Sequence, residues 1–261
     1  ENKFLNFVEQ ITSGTSIDSI QGICFIDKKG EYRESGGLER VRNLETIPWP
    51  WWPDGYLEQF WSASKSAGAG TGRDMPMLLS RGCPYQCTFC SSPNMWTTRY
   101  VLRDIDDTIN EIKYYIGKYD IKSIQLYDLT AITKKRWIVD FCNRLLSEKI
   151  ELKWSVPQGT RSETLDAETL SLLKQTGCHY LVYAPESGSE ETLQSIKKRI
   201  KLPRLVTSIK TAKQCGLTLR VNLIIGFPNE TRKNIYQTIL FGLKMSFIGV
   251  DEVSVNIFSP Y

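Results

Sequence analysis

Three cysteines fall within eight residues, in the stretch Gly82-Cys83-Pro84-Tyr85-Gln86-Cys87-Thr88-Phe89-Cys90. Thiolates separated by three and two residues on one loop are a donor set for soft iron. A [4Fe–4S] cluster takes four thiolates, so three leave one iron without a protein ligand. An open coordination position is what separates a catalytic metal from a structural one. Phe89, beside the last thiol, would shield one side of such a cluster from water. The Gly, Pro and Gln of the loop do not make a core segment, which argues against coincidental buried thiols. The other metal reading is a zinc site closed by Cys178 or by His179, the only histidine, although this spacing is uncommon in zinc knuckles. The remaining cysteines, Cys24, Cys142, Cys178 and Cys215, are scattered among apolar neighbours. Cys142 and Cys215 are expected as buried thiols on apolar helix faces.

Such a loop needs a scaffold, and strand-like runs alternate with helical ones from about Pro76 onward. Strands are expected at Met75–Ser80, Ile121–Tyr127, Glu151–Val156, His179–Ala184, Leu217–Ile225 and Val250–Phe258. Ile105, Ile109, Ile112 and Ile116 recur at helical spacing between the first two. Trp137, Phe141 and Leu145 mark the next helix, Asp166 to Gly177 another, then one with Pro203 in its first turn, and last one carrying Ile235, Ile239 and Leu243. Six strands alternating with five helices imply parallel βα units with right-handed crossovers. Leu217, Leu219, Val221 and Leu223 oppose Thr218, Arg220 and Asn222; Leu152, Trp154 and Val156 oppose Lys153 and Ser155; Val253, Val255 and Ile257 oppose Ser254 and Asn256. A doubly covered sheet would be apolar on both faces. The expected fold class is therefore α/β, a partial (βα)6 TIM-like barrel with parallel strands and a polar lumen. It is preceded by the tail of an N-terminal α/β domain and a linker.

The boundaries are read as 1–45 for that tail, 46–74 for the linker and 75–261 for the barrel, truncated after the sixth strand. Ile17–Phe25 and Gly30–Arg33 look like a strand and a turn. Pro48-Trp49-Pro50-Trp51-Trp52-Pro53 and the Ser-, Ala- and Gly-rich Ser62–Gly72 mark the crossing. The Trp cluster is expected to cover apolar barrel surface.

CxxxCxxC with an aromatic before its third Cys, on the loop after the first strand of a βα barrel, resembles the signature of the radical SAM enzymes. Further segments are similar at the expected strand ends. Tyr127-Asp128 ends the second strand, Ala184-Pro185-Glu186-Ser187-Gly188-Ser189 the fourth and Gly226-Phe227-Pro228-Asn229-Glu230 the fifth. The carboxyl ends of strands are where βα barrels place their sites. The resemblance implies that Cys83, Cys87 and Cys90 hold a [4Fe–4S] cluster, which cleaves S-adenosylmethionine reductively to a 5′-deoxyadenosyl radical. It implies cofactor contacts from Asp128 to the methionyl amine, Arg161 to its carboxylate, Glu186 and Ser187 to the ribose, and Gly226, Pro228 and Glu230 beside the adenine. The segments Ile20–Ile23, Lys29–Glu31 and Leu44–Pro50 resemble the exit of the cobalamin-binding domain that precedes many such barrels. Cobalamin is then expected in the full-length protein, its site upstream of Glu1 and not in this chain. The implied reaction is methyl transfer, C–C bond formation or cyclisation. The FSPYPGT segment of the family stops here at Phe258-Ser259-Pro260-Tyr261.

The implied partners are a small-molecule substrate and a low-potential electron donor of flavodoxin or ferredoxin type. A net charge of +4 is too small to argue for nucleic acid. The run Lys197-Lys198-Arg199-Ile200-Lys201 reads as a solvated helix end. No apolar run approaches the ~20 residues of a membrane span, and a cysteine cluster with scattered singles, with no signal peptide opening the sequence, is expected of a reducing compartment, the cytoplasm. Two alternatives stand beside the main reading. A methylthiotransferase acting on tRNA or protein carries three further upstream cysteines, whereas only Cys24 precedes Cys83. A non-catalytic iron–sulfur electron carrier needs a fourth nearby thiolate and no polar lumen.

Overall fold

The fold is taken from a computed structural model, which describes residues 2–37, 41, 43–63, 70–161 and 165–260. It divides into two compact units, Glu1–Trp49 and Pro50–Tyr261. In the first, helix α1 (Asn2–Thr12) and a 3-10 turn (Ile17–Ser19) precede an antiparallel hairpin of β1 (Cys24–Ile26) and β2 (Tyr32–Glu34). The strand expected over Ile17–Phe25 is thus shorter, because Ser16 caps a 3-10 turn by accepting from Asp18 N–H. Cys24 is exposed on this hairpin.

The second unit carries a six-stranded parallel sheet. Its strands are β3 (Asp74–Met77), β6 (Ser123–Leu126), β7 (Lys153–Thr160), β8 (Cys178–Glu186), β9 (Thr218–Ile225) and β10 (Glu252–Ile257), and each pairs in parallel with the one before it. Their order never reverses. With right-handed crossovers, an unreversed order puts every connecting helix on one face, so the sheet forms a barrel wall; a doubly wound sheet needs a reversal. The helices are α4 (Ile105–Tyr119), α5 (Lys135–Ser147), α6 (Ala167–Gln175), α8 (Leu202–Gln214) and α9 (Arg232–Ile248). Their apolar stripes meet the sheet in one core that includes Ile109, Ile112, Phe141, Leu170, Ile209 and Met245.

The alternation expected for β9 is present: Leu219, Val221 and Leu223 are fully buried, while Thr218, Arg220 and Asn222 are half-buried. On β7, an interior strand, Ser155 is buried along with Trp154 and Val156, so polarity there does not report exposure.

Part of the expected linker belongs to this second unit. Helix α2 (Tyr56–Ser62) buries Leu57 in the core, and Trp61 Nε1 donates to the Asp74 carbonyl at 2.8 Å. Residues 64–69 of that stretch, and Tyr261 of the terminal segment, lie outside the described residues. Of the Trp cluster, Trp52 packs against the core but Trp51 is 73% exposed, so the whole cluster does not cover the barrel. Cys142 is buried as expected, whereas Cys215 lies at the end of α8 and is only half-buried.

Candidate functional site

A short antiparallel pair, β4 (Ser80–Arg81) and β5 (Val101–Leu102), closes the base of the excursion that carries the three cysteines. Gly82 turns the chain out of β4 at φ +83°, where a Cβ would lie 1.9 Å from the Arg99 carbonyl oxygen. Only glycine fits there. The loop runs through Cys83–Cys90 into α3 (Ser92–Trp96). It is anchored by the Thr88 N–H, which donates to the Ile196 carbonyl at 3.1 Å. Phe89 packs against Phe227 at 5.7 Å between ring centroids, and Phe227 against Phe258 at 5.2 Å. These rings, with Leu193 and Ile196, form a second small apolar cluster that seats the loop on the ends of the fourth to sixth strands of the sheet.

Cys83, Cys87 and Cys90 line one cavity of about 270 Å³ together with Phe89, Asp128, Arg161 and Glu186. Among the described residues no three His, Cys, Asp or Glu side chains converge as a single-ion site. A cubane cluster asks for something else. Each thiolate takes its own iron, so the sulfurs surround a space instead of meeting at a point. The three cysteines border one cavity, which is compatible with that demand. Burial raises the Cys83 and Cys87 thiols, while the charges of Lys198 and Arg161 pull both back toward the thiolate. Cys178 opens β8 at the opposite end of the strand from Glu186, paired with Trp154 and fully buried. Neither it nor the adjacent His179 is placed to close a zinc site on this loop.

Asp128 follows β6 and has no exposed surface. Both of its carboxylate oxygens accept from Leu79 N–H at 3.1 Å, and one also accepts from the Ser80 hydroxyl. It therefore ties the end of β6 to the root of the cysteine loop. Burial pushes its carboxyl up to about 6, against the pull of those hydrogen bonds. Arg161 follows β7, with its guanidinium carbon 3.8 Å from the centroid of the Tyr85 ring and Nη2 donating to the Arg199 carbonyl. Glu186 ends β8 at φ +70°, a left-handed conformation strained for a side-chain-bearing residue. Its carboxylate accepts from Lys198 Nζ at 2.9 Å, and each side chain is only 10% exposed.

The other expected contacts do not line this cavity. Ser187 points into α9, its hydroxyl 2.8 Å from that of Thr238. Gly226 sits at φ +90°, and its N–H donates to Glu230 Oε2 at 2.6 Å, so Glu230 closes its own loop. Pro228 is exposed on that turn.

Lys198 and Tyr85 are lining residues that the sequence reading passed over. Tyr85 could have been found as an aromatic inside the cysteine stretch. Lys198 had no such signal, and its burial overturns the reading of the whole basic run as a solvated helix end.

This chain is 28% identical over its whole length to an uncharacterized methyltransferase of Pyrococcus horikoshii, covering 54% of that protein. It is 27% identical over 87% of its length to a cytidylyl-2-hydroxyethylphosphonate methyltransferase of Streptomyces wedmorensis, covering 47% of it. The chain thus spans about half the length of these curated relatives. Among solved structures, the radical S-adenosylmethionine methyltransferase TsrM of Kitasatospora setae, with tryptophan and an S-adenosylmethionine analogue bound, gives a TM-score of 0.77 at 15% identity. That match covers 98% of this chain and 49% of TsrM, and at this identity the likeness is one of fold. TsrM has also been solved with cobalamin and a [4Fe-4S] cluster bound. Residues 77–242 match the Radical SAM superfamily, a span that holds the cysteine loop and every strand of the sheet from β6 to β9, and the chain belongs to that superfamily.

Proposed function

We propose that this chain forms the S-adenosylmethionine-cleaving part of a cobalamin-associated radical enzyme that methylates, or joins or cyclises, a small molecule. The observation that carries the reading is the meeting of three thiols from one loop with Asp128, Arg161 and Glu186 at successive strand ends. The names of the relatives support the methyl-transfer part.

A [4Fe–4S] cluster, when bound, supplies the electron that cleaves S-adenosylmethionine and leaves a carbon radical able to abstract hydrogen. Cys83, Cys87 and Cys90 would hold three of its irons. Arg161 offers a cation for the methionyl carboxylate, and Glu186 an acceptor for the ribose hydroxyls. Asp128, already engaged by Leu79 and Ser80, would hold the loop's root and leave only residual accepting capacity for an ammonium. Phe89 and Tyr85 flank the cavity with aromatic surface and exclude water from a reactive carbon centre. Gly226, Pro228 and Glu230 would act beside the adenine only through the shape of their turn, and Ser187 only by holding the exit of β8. Cobalamin would be held by residues outside this chain. The electron would come from a low-potential carrier of flavodoxin or ferredoxin type, in the cytoplasm.

Anaerobic reconstitution tests the reading. The protein should take up about four irons per chain and give a reduced-state EPR signal that shifts on adding S-adenosylmethionine. Ala at Cys83, Cys87 or Cys90 should abolish that uptake, and Ala at Cys142 or Cys215 should leave it. Stoichiometric zinc without iron would overturn it.

A further inference from the structure

Beside the cysteine cavity lies a second concavity, of about 720 Å³, between α7 (Glu190–Ser195), the turn that follows it and the start of α8. Lys197, Arg199, Lys201 and Arg204 line it, all exposed, and among the described residues Glu190 is the one carboxylate that lines it with them. Among the described residues none of these four cations pairs with a carboxylate, whereas Lys113, Lys135 and Arg144 on the same unit each do. The whole chain carries a formal charge of only +4, and four cations without a carboxylate partner within eight residues concentrate positive charge on this turn.

The same turn is the wall of the cysteine cavity. Lys198 lines both spaces. The Ile196 carbonyl holds Thr88, the residue after Cys87, and the Arg199 carbonyl holds Arg161. Whatever binds the basic concavity is therefore separated from the thiols by one thickness of chain.

Resting on the function proposed above, we infer that this concavity is the docking surface for an acidic one-electron carrier protein. Its cations steer the carrier by charge complementarity, and the turn of Ile196–Arg199 is the short path from carrier to cluster. One electron enters per event, the carrier is oxidised by one unit and the cluster reduced by one. A nucleic acid is disfavoured because, among the described residues, no aromatic side chain lines the concavity to stack a base.

The test mixes cluster-loaded protein anaerobically with photoreduced flavodoxin, as the acidic probe, and follows cluster reduction by stopped flow. In the triple variant Lys197→Glu, Arg199→Glu, Lys201→Glu, the second-order rate at low salt should fall about tenfold or more. The wild-type rate should itself fall as salt rises. Reduced methyl viologen, a small cation, should reduce the variant no more slowly than the wild type. Equal flavodoxin rates, slowing with both reductants, or an RNA oligonucleotide binding the three cations more tightly than flavodoxin does would each overturn the inference. A wild-type protein that shows no reducible cluster with viologen would instead overturn the function it rests on.

Discussion

The carboxylate of Asp128 is wholly buried and hydrogen-bonded to Leu79 and Ser80, yet burial lifts it to about 6. The folded state therefore binds a proton more tightly than the unfolded chain does, whose carboxyl titrates near 3.8. Stability from this group is fully present below that lower value and declines as pH rises through about 6. Above pH 6 the charged form costs on the order of 2–3 kcal/mol. Asp128→Asn keeps an acceptor and removes the charge. Urea unfolding of the cluster-free protein should show the wild type gaining on the Asn variant as pH drops from neutral toward 5; parallel pH profiles would refute the assignment. At Glu186 the expectation concerns the ligand. Glu186→Ala should leave iron uptake intact and weaken S-adenosylmethionine binding by roughly 1.5–3 kcal/mol, the worth of a hydrogen bond to a charged group. Equilibrium dialysis of the loaded protein measures it, and unchanged affinity would take Glu186 out of the ligand's site.

At the scale of elements, two glycines separate strain from collision. Gly82 and Gly226 both have positive φ, but a Cβ at Gly226 would meet only Ile257, at 3.9 Å, whereas one at Gly82 would strike the Arg99 carbonyl. Gly226→Ala should cost only the left-handed backbone, about 1–2 kcal/mol. Gly82→Ala must also push apart the return of the loop beside the β4–β5 pair, so it should cost more and should lower iron uptake. Thermal unfolding and iron titration of the two variants check the order. Iron uptake by Gly82→Ala equal to the wild type would mean that the β4–β5 clamp does not shape the loop.

Among the described residues, the second unit exposes large apolar side chains on α9 and on β10. On α9, Tyr236, Leu240, Leu243 and Phe247 are exposed, Phe247 at 92%, and Ile257 on the edge strand β10 is 81% exposed. No helix among the described residues is long and apolar enough to cross a membrane, so this is a surface patch and not a span. Exposed apolar surface of this kind drives association, and among the described residues β10 is an edge strand of the sheet. These 261 residues in isolation should self-associate as concentration rises, seen by light scattering. Leu240→Lys with Phe247→Lys should suppress this without lowering the unfolding midpoint. Unaltered scattering would exonerate the patch.

Local regularities are what the sequence by itself determined. The period-2 run Leu217 to Leu223, the period-3.6 run Ile105 to Ile116, the caps at Asp166 and Gly177 and the cysteine spacing each act within a few residues of chain. They were enough for the α/β class, the order of the sheet strands and the cysteine loop, whereas Asp128, Arg161 and Glu186 were singled out at strand ends by the resemblance to the radical SAM enzymes. Direction was decided only by the tertiary structure. Ser187 turns to Thr238, 51 positions away, and the Lys198 ammonium turns inward to a carboxylate at the end of another element. Glu230 turns back on its own loop instead of toward the cavity. Each of these side chains had several staggered orientations open to it. For Ser187 and Lys198 the partner that selects one comes from another element, brought close only when the sheet and its helices have packed; for Glu230 the N–H groups of Gly226 and Phe227 on its own turn are joined by the Thr192 hydroxyl, 38 positions away.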